Sequence, residues 1–404
     1  MPLPPPAPGG LFVDDIAASR KCFGLLLTPI LVLAALIALS ACATAYPPID
    51  GTLVPSPLHR PAPTSEEATI SPSHPTEPIV PGQPNLDLPP GDNIVYSLRT
   101  ASAGVLPPEL DFYAISPSNG SRHPLLRGVT DAAISPDASK LAYFLRGWLY
   151  LYEVSNGNQS ISRIEIPTSQ DACRTPVWSP DSQRLLLTCG DIVEGTSTII
   201  VEARSASVLP VAQGCRDYSW SSDRESFAAS CGGAMTDVRI FRLPTDSVDI
   251  VPGCEADILC NRPNWSPRGD WILIYRGSGR SGEGTPQDGY YLTSPNCDTS
   301  APECTRPATA PLITGESPAW SPDGTRFALV DDLSILLVSP DTNEVKVLAT
   351  LQYLPEVVVW SPDSRSLAFT ADTKLLVYSF ETKEIATLTE GAAPLVSDWI
   401  QASP

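Results

Sequence analysis

A short turn signature that recurs six times constrains the fold of this chain more than any other feature. The signature is a tryptophan followed by Ser, Pro and Asp, or a close variant of that string. Its copies begin at Ile134, Trp178, Trp220, Trp265, Trp320 and Trp360. Successive copies lie 40 to 55 residues apart. A repeat of this length is typical of proteins that place one small structural unit many times side by side. The sequence therefore predicts a series of similar units rather than two unrelated domains.

Each copy of the signature predicts a β-hairpin, because a run of strand-forming residues follows it, as at residues 141–144 and 272–275. Proline suits the first turn position and aspartate the second. We therefore expect a three-residue loop whose last residue has a left-handed backbone. Gly269 and Gly324 suit that last position. The other copies place there Ala138, Ser182, Arg224 and Ser364.

The repeated string resembles the TolB-type, WD40-like propeller repeat, in which Trp-Ser-Pro-Asp-Gly precedes a short apolar strand. The resemblance covers roughly residues 93–404 and implies an all-β fold, a β-propeller. Three copies depart from the pattern, at Ile134 for the tryptophan, Ser222 for the proline and Arg268 for the aspartate. These departures question the geometry of single turns rather than the fold. Propellers host many activities, so the resemblance alone predicts no function.

Two half-repeats at the ends of this region predict how the ring closes. Residues 94–97 match the strand that normally follows the turn, and residues 396–400 match the strand that normally precedes it. Trp399 lies 39 residues after Trp360, in phase with the repeat. We expect the C-terminal strand to complete the blade that residues 94–97 begin, which gives seven blades and no open edge. A ring of six blades, the number associated with TolB, is the alternative.

The first 41 residues have the pattern of an export signal. Arg20 and Lys21 precede an almost wholly apolar run over residues 22–41. The run ends in Leu-Ser-Ala-Cys, which resembles the bacterial lipobox and implies cleavage before Cys42 and lipidation of its sulfur. The alternative is an uncleaved signal anchor, because about 20 apolar residues can span a bilayer. Both alternatives place the following residues outside the cytoplasm, on the membrane surface, since positive residues stay inside.

Residues 42–92 are rich in Pro, Ser, Thr and Glu and have no hydrophobic periodicity. So little apolar surface does not offset the entropy of ordering the chain, and this stretch is predicted to be a disordered tether. The predicted organisation is therefore a lipoprotein signal peptide over residues 1–41, a tether over residues 42–92 and a propeller over residues 93–404.

Eight cysteines follow Cys42, an even number that favours disulfides in an exported domain. Two pairs flank consecutive signature turns with the same offsets, and a three-residue loop would place the members of each pair directly opposite each other. Two further pairs are close in sequence. The predicted bridges are Cys173–Cys189, Cys215–Cys231, Cys254–Cys260 and Cys297–Cys304. No Cys-x-x-Cys string occurs and no histidine lies near a cysteine, so we expect no metal site and no cofactor.

The sequence offers no set of catalytic residues, and we expect no enzyme. It has no Gly-x-Ser-x-Gly string, no Walker loop and no HExxH string, and His123 is the one histidine in the ring region. The formal net charge of −19 argues against sequence-independent binding of nucleic acid, which needs a basic face.

The fifth unit is the best candidate for a binding site, because its spacing of 55 residues holds two insertions, at residues 276–289 and 294–307. Long loops on a rigid scaffold often carry binding residues. The candidate contacts are Arg276, Arg280 and Asp288. A tolerated surface insertion without a binding role is the alternative.

We expect a monomeric binding or scaffolding module of the bacterial cell envelope, held at the membrane by its lipid anchor. Its partner would be an envelope protein or a cell-wall component, of unknown identity. The alternatives are an envelope enzyme that acts on glycan or peptide, and a ligand-sensing module.

Overall fold

The computed structural model describes residues 82–100, 108–166, 173–191, 195–233, 236–244, 247–254, 258–277, 288–297, 304–308, 315–391 and 393–402. These residues form seven four-stranded antiparallel sheets, arranged in a ring as a β-propeller. The prediction of seven blades is confirmed, and the alternative of six is wrong. Within the described ranges, no helix has the length and apolar character needed to cross a membrane.

The strands are numbered in chain order. Blade 1 joins β28 (Leu395–Ala402) to β1 (Gly91–Arg99), β2 (Leu110–Ile115) and β3 (Arg122–Val129). Blade 2 comprises β4 (Asp131–Ile134), β5 (Lys140–Leu145), β6 (Trp148–Ser155) and β7 (Asn158–Ile164). Blade 3 comprises β8 (Arg174–Trp178), β9 (Arg184–Asp191), β10 (Gly195–Glu202) and β11 (Ser207–Gln213). Blade 4 comprises β12 (Cys215–Trp220), β13 (Ser226–Gly232), β14 (Thr236–Arg242) and β15 (Ser247–Ile250).

Blade 5 comprises β16 (Leu259–Trp265), β17 (Ile272–Gly277), β18 (Gly289–Thr293) and β19 (Thr305–Pro307). Blade 6 comprises β20 (Glu316–Trp320), β21 (Phe327–Asp331), β22 (Ser334–Ser339) and β23 (Glu344–Thr350). Blade 7 comprises β24 (Pro355–Trp360), β25 (Ser366–Ala371), β26 (Lys374–Ser379) and β27 (Ile385–Glu390).

Burial increases from the outer strand of each blade towards the middle. The whole of β15 is exposed, whereas β13 is buried from Ser226 to Cys231. A strand that packs between two neighbouring sheets is buried on both faces, so its sequence is a continuous apolar run rather than an alternating one. The runs that follow each turn signature are these middle strands. The strand that ends in the signature tryptophan is the inner strand of its blade, at the opposite sheet edge from the exposed strand.

The signature tryptophans connect neighbouring blades. Each of four indole N–H groups donates a hydrogen bond to the backbone carbonyl that precedes the signature residue of the preceding blade. The four bonds join Trp178 to Ala133 (3.0 Å), Trp220 to Val177 (3.2 Å), Trp320 to Asn264 (3.0 Å) and Trp360 to Ala319 (2.8 Å). All four rings are buried, so each tryptophan adds both apolar contact and a directed bond to the junction.

The turn of each signature has one more residue than the sequence suggested. In blade 3 the backbone N–H of Ser179 donates to the carbonyl of Arg184 (2.8 Å), which leaves four loop residues rather than three. Ser182 has φ 60°, so the expected left-handed position is confirmed. In blade 5, where Arg268 replaces the aspartate, the Ser266 hydroxyl donates to Asp270 (2.6 Å) and the turn is kept.

The C-terminal strand closes the ring as predicted. β28 pairs with β1 in antiparallel register, with Ile94 opposite Trp399 and Val95 opposite Asp398. Blade 1 is therefore built from both ends of the repeat region. Residues 82–90, which lie within the stretch assigned to the tether, pack beside this blade. The Asn85 backbone N–H donates to the Leu125 carbonyl at 2.7 Å.

All four predicted disulfides are present. Their Cα–Cα distances are 3.9 Å for Cys173–Cys189, 4.0 Å for Cys215–Cys231, 5.6 Å for Cys254–Cys260 and 5.5 Å for Cys297–Cys304. The first two join directly opposed strand positions. The four bridges together account for every cysteine after Cys42. Cys42 itself lies outside the described residues, so its lipidation stays a prediction.

Candidate functional site

The inner strands of blades 3, 4 and 5 each contain a bulge, which changes the direction of one side chain. Thr175, Asp217 and Arg262 each lie three residues before a signature tryptophan and have φ of 53°, 52° and 53°. The strand register shifts beside each of them. A left-handed conformation costs a residue other than glycine about 1–2 kcal/mol. Strained positions of this kind cluster at functional sites, so the residues around these bulges are candidates for a functional site.

Side chains of the preceding blade hold two of these bulges in place. The backbone N–H of Thr175 donates to the Asp131 carboxylate at 2.9 Å, and that of Arg262 donates to the Ser230 hydroxyl at 3.1 Å. Each bond occupies an amide that the bulge removes from the strand ladder. The position of Arg262 is therefore fixed by two blades at once.

Arg262 is the centre of a set of polar side chains from three blades, here called the polar cluster: Asp217, Arg262, Tyr275, Asp288, Tyr290 and Glu316. Burial alone would lower the pKa of Arg262, but the neighbouring Tyr290 hydroxyl and the Glu316 and Asp217 carboxylates raise it. The guanidinium faces the Tyr290 hydroxyl without completing a hydrogen bond of normal geometry. Arg262 is therefore an exposed cation whose charged neighbours belong to blade 4 and blade 6 and whose hydroxyl neighbour, Tyr290, belongs to blade 5.

Two tyrosines form the wall of the polar cluster in blade 5. The Tyr275 and Tyr290 rings meet edge to face, with centroids 5.5 Å apart, and Tyr290 has no exposed surface. Burial raises the pKa of both hydroxyls, and the Asp288 carboxylate raises that of Tyr275 further. Both phenols therefore stay protonated at neutral pH, and they can donate as well as accept hydrogen bonds.

The polar cluster lies at the end of the ring opposite the signature turns. The bulges precede the tryptophans, and the β17–β18 connection starts and ends at the same end of blade 5. Gly277 starts that connection, and a Cβ built on it would lie 3.9 Å from the Asp288 carboxyl carbon. Gly277 and Asp288, the described residues that flank this connection, therefore lie at the polar cluster.

The three predicted loop residues have different positions. Asp288 lies beside Tyr275 in the polar cluster. Arg276 follows Tyr275 in β17, so the two side chains lie on opposite faces of the sheet. The Arg276 guanidinium lies 4.4 Å from the centroid of the Tyr291 ring. The structure therefore brings Asp288, but not Arg276, to the cluster. Arg280 lies outside the described residues.

The sequence analysis missed five members of the polar cluster: Asp217, Arg262, Tyr275, Tyr290 and Glu316. One signal was available, because charged residues stand at the third or fourth position before five signature tryptophans, those at positions 178, 220, 265, 320 and 360. That spacing becomes meaningful only when neighbouring inner strands are known to be in contact.

The polar cluster can bind polar groups, because it combines hydrogen-bond donors, a guanidinium and two phenols, with the acceptor oxygens of three carboxylates. A metal ion is not favoured there, since the guanidinium stands beside the Asp217 and Glu316 carboxylates. The described part of the chain contains no group of three or more His, Cys, Asp or Glu residues that could hold a metal. The expectation that the chain has no catalytic residues is not tested by this arrangement.

Several solved structures are similar to this chain. An oligogalacturonate lyase in complex with manganese is 13% identical, with 73% of this chain and 83% of that chain covered and a TM-score of 0.52. The β-propeller domain of the trilobed protease from Pyrococcus furiosus is 14% identical, with coverage of 75% and 93% and a TM-score of 0.52. TolB from Acinetobacter baumannii is 14% identical, with coverage of 76% and 82% and a TM-score of 0.44.

No protein-family model matches the chain, and no curated protein sequence matches it either. Identities as low as those of the similar structures support a shared fold and no shared activity. Membership of the propeller-repeat family and the lipoprotein assignment stay predictions. The chain is a seven-bladed β-propeller, closed by its C-terminal strand, with TolB and other propellers among the structures similar to it.

Proposed function

We propose that the ring is a binding module that recognises a basic polypeptide segment at the polar cluster. The observation that carries this proposal is Arg262, a strained residue of the enlarged blade 5 whose charged neighbours are the Asp217 carboxylate of blade 4 and the Glu316 carboxylate of blade 6. A scaffold that maintains such strain positions its polar groups before a partner arrives, which lowers the cost of binding.

The charge of the molecule supports a basic partner. The polar cluster holds three carboxylates, of Asp217, Asp288 and Glu316, against the single cation of Arg262. Arg216 adds a second cation beside Asp217, at 3.8 Å. The local balance is therefore negative, in a chain with a formal net charge of −19. Complementary charge steers association and selects partners.

The test is crosslinking of the full-length protein in its own cells, with captured proteins identified by mass spectrometry. The variant Glu316→Gln with Asp288→Asn removes two negative charges from the polar cluster. The control Glu381→Gln with Glu384→Gln removes two from the exposed β26–β27 turn. We expect the first variant to lose the partner and the control to keep it. Equal capture by both variants would show that the polar cluster is not the binding site.

We further propose that the module works outside the cytoplasm, attached to the membrane through Cys42, or through an uncleaved signal anchor. The four disulfides support an oxidising compartment. In this proposal the basic segment belongs to an envelope protein, and the module performs no reaction itself. Mass spectrometry of the wild-type protein and of Cys42→Ser tests the anchor. A lipidated wild type and an unprocessed variant are expected, whereas an intact leader without lipid in the wild type would favour the signal anchor.

A further inference from the structure

Blade 2 lacks the tryptophan that the other six blades have, and a cavity lies where its indole would pack. Ile134 occupies the signature position. A cavity of about 300 Å³ adjoins it, with walls from blades 1, 2 and 3. Its apolar walls include Val95, Phe112, Leu141 and Trp178. The volume is at the lower end of the range for small-molecule sites.

The geometry of the other junctions shows what this cavity lacks. In blades 3, 4, 6 and 7 an indole N–H donates to the carbonyl that precedes the signature residue of the preceding blade. The equivalent residue of blade 1 is Asp398, which precedes Trp399. Ile134 has no N–H in its side chain, so it cannot make this bond. Shape and hydrogen bonding at the junction are therefore both incomplete.

Asp398 also places a carboxyl group in the cavity wall, and it is the single ionisable residue among those that line it. Its Oδ1 atom accepts the backbone N–H of Trp399 at 2.8 Å. Burial raises the pKa of this carboxyl to about 6, so most of it is ionised at neutral pH in largely apolar surroundings. A half-buried carboxylate in apolar surroundings without a charged partner is unfavourable, and a bound cation would relieve that cost.

A ligand can reach the cavity, because part of its wall is in contact with solvent. Ser397 is exposed, and Val177 and Asp398 are half-buried. These residues belong to inner strands, β28 and β8, so the opening is on the inner side of the ring. Pro136, a turn residue, also lines the cavity. The site is thus near the signature turns, at the end of the ring away from the polar cluster.

We propose that this cavity binds a small aromatic cation. A flat ring fills the space that the missing indole leaves against Phe112 and Trp178, and a protonated amine pairs with the Asp398 carboxylate. The ligand replaces both interactions that Ile134 cannot supply, the apolar contact and the N–H donor. This site does not depend on the polypeptide partner proposed above.

Tryptamine is a suitable probe, since it combines an indole with a protonated amine. Binding to the purified full-length wild-type protein is measured at pH 7.5 by isothermal titration calorimetry, with neutral indole and anionic indole-3-acetate as comparison ligands. We expect saturable binding of tryptamine, weaker binding of indole and the weakest binding of indole-3-acetate. Asp398→Asn should weaken tryptamine at least tenfold and change indole much less, because it removes charge and keeps shape.

Ile134→Trp restores the repeat residue and should abolish tryptamine binding. Ile134→Leu keeps the volume of the side chain and should leave binding within about twofold, which corresponds to a few tenths of a kcal/mol. If Ile134→Trp does not fold, Val177→Phe narrows the cavity from the facing wall and should weaken binding in the same way. Wild-type affinity in a folded cavity-filling variant, or no saturable binding by the wild type at ligand concentrations on the order of 1 mM, would overturn the proposal. Glu316→Gln with Asp288→Asn should leave tryptamine binding unchanged, so this test and that of the polar cluster can fail separately.

Discussion

Ile94 lies directly opposite Trp399 in the antiparallel pair of β1 and β28. The two residues come from opposite ends of the repeat region, and both are buried in one core with Tyr96 and Val396. A propeller blade that contains both ends of the ring makes every junction between blades depend on the last strand. The stability of the whole ring should therefore respond to changes in β28.

Removal of residues 394–404 should destabilise the complete ring rather than blade 1 alone. The deletion leaves β1 as an open edge and removes the packing of Trp399 and Ile400, and exposed edges also favour aggregation. Thermal unfolding followed by circular dichroism should show a clearly lower midpoint and increased aggregation. Gln401→Ala, an exposed position of the same strand, is the control and should unfold like wild type. A truncated protein with the wild-type midpoint would contradict closure by β28.

Loss of the indole N–H at one junction should have a measurable cost without loss of the ring. Trp360→Phe keeps an aromatic side chain but removes the bond to the Ala319 carbonyl, which measures 2.8 Å. We expect the free energy of unfolding in urea to fall by about 1–3 kcal/mol, from the unpaired buried carbonyl and the smaller ring.

Trp265→Phe provides the matched control for that measurement. The Trp265 indole N–H makes a longer contact, 3.5 Å, to Gly269 in its own turn. Its replacement should cost less than that of Trp360, because no bond between blades is lost. Equal effects of the two substitutions would mean that the ring packing, rather than the bond, stabilises the junctions.

The fold was predictable because its signals are local. The signature tryptophan, its turn and the apolar strand that follows lie within about ten residues of one another. The six copies and the two half-repeats together give the number of blades. The opposition of the paired cysteines was predicted correctly, although the predicted register next to the turn was wrong by one residue. The turn of blade 3 has one residue more than expected, and the bulge at Thr175 shifts the register by one in the compensating direction. Cys173 therefore still lies opposite Cys189. Blade 4 repeats this compensation at Asp217.

Removal of one cross-strand disulfide should weaken the ring without unfolding it. Cys173→Ala with Cys189→Ala opens a bridge between residues 16 apart in sequence. The loop-entropy model gives up to about 3 kcal/mol for such a loop. The sheet already constrains both strands, so the observed loss in urea should be smaller. The corresponding double variant at Cys215 and Cys231 has the same separation and should lose a similar amount. Free thiols at these positions in the oxidised wild type would contradict the pairing.

The polar cluster was not predictable from the sequence alone. Arg262 and Glu316 are 54 positions apart and belong to different blades. Their proximity depends on the packing of inner strands around the ring. The left-handed backbone of Arg262 also follows from a bulge, and an arginine gives no sequence signal for one. Asp288 was found because the length of its loop is visible in the spacing of the repeat.

Opposite substitutions in two turns should have opposite effects on stability. Gly324 has φ 66°, and a Cβ built there would lie 2.5 Å from the Arg268 side chain. Gly324→Ala should therefore destabilise the protein by about 1–2 kcal/mol. Ala138 has φ 57° at the equivalent position of blade 2. Ala138→Gly removes that strain but increases the freedom of the unfolded chain, so a smaller gain of up to about 1 kcal/mol is expected. Urea unfolding of both variants checks the signs, and a stabilising Gly324→Ala would contradict this account of the turn.

The pH dependence of stability should reveal the half-buried carboxyl of Asp398. Burial raises its pKa to about 6, above the roughly 3.9 of aspartate in an unfolded chain. The folded protein then binds this proton more tightly than the unfolded chain. The resulting stability is fully present below about pH 4 and is lost as the pH rises through about 6. Asp398→Asn, which cannot ionise, should therefore gain stability relative to wild type between pH 4 and pH 7. The gain should reach up to about 3 kcal/mol, and less where solvent on the inner side of the ring screens the charge.

Asp363→Asn is the control, because its pKa is shifted in the opposite direction. The Ser361 hydroxyl, which donates to the Asp363 carboxylate at 2.7 Å, lowers the pKa of that carboxyl. Its contribution to stability is present above the unfolded pKa and lost as the pH falls through the lower folded value. Asp363→Asn should thus be less stable than wild type at pH 7, with a deficit that shrinks in acid. The two variants share one chemical change, so opposite slopes of the stability difference against pH can be assigned to the surroundings of each carboxyl. A flat difference for Asp398→Asn from pH 4 to pH 7 would mean that water reaches the carboxyl freely and that the cavity wall is more polar than its lining residues indicate.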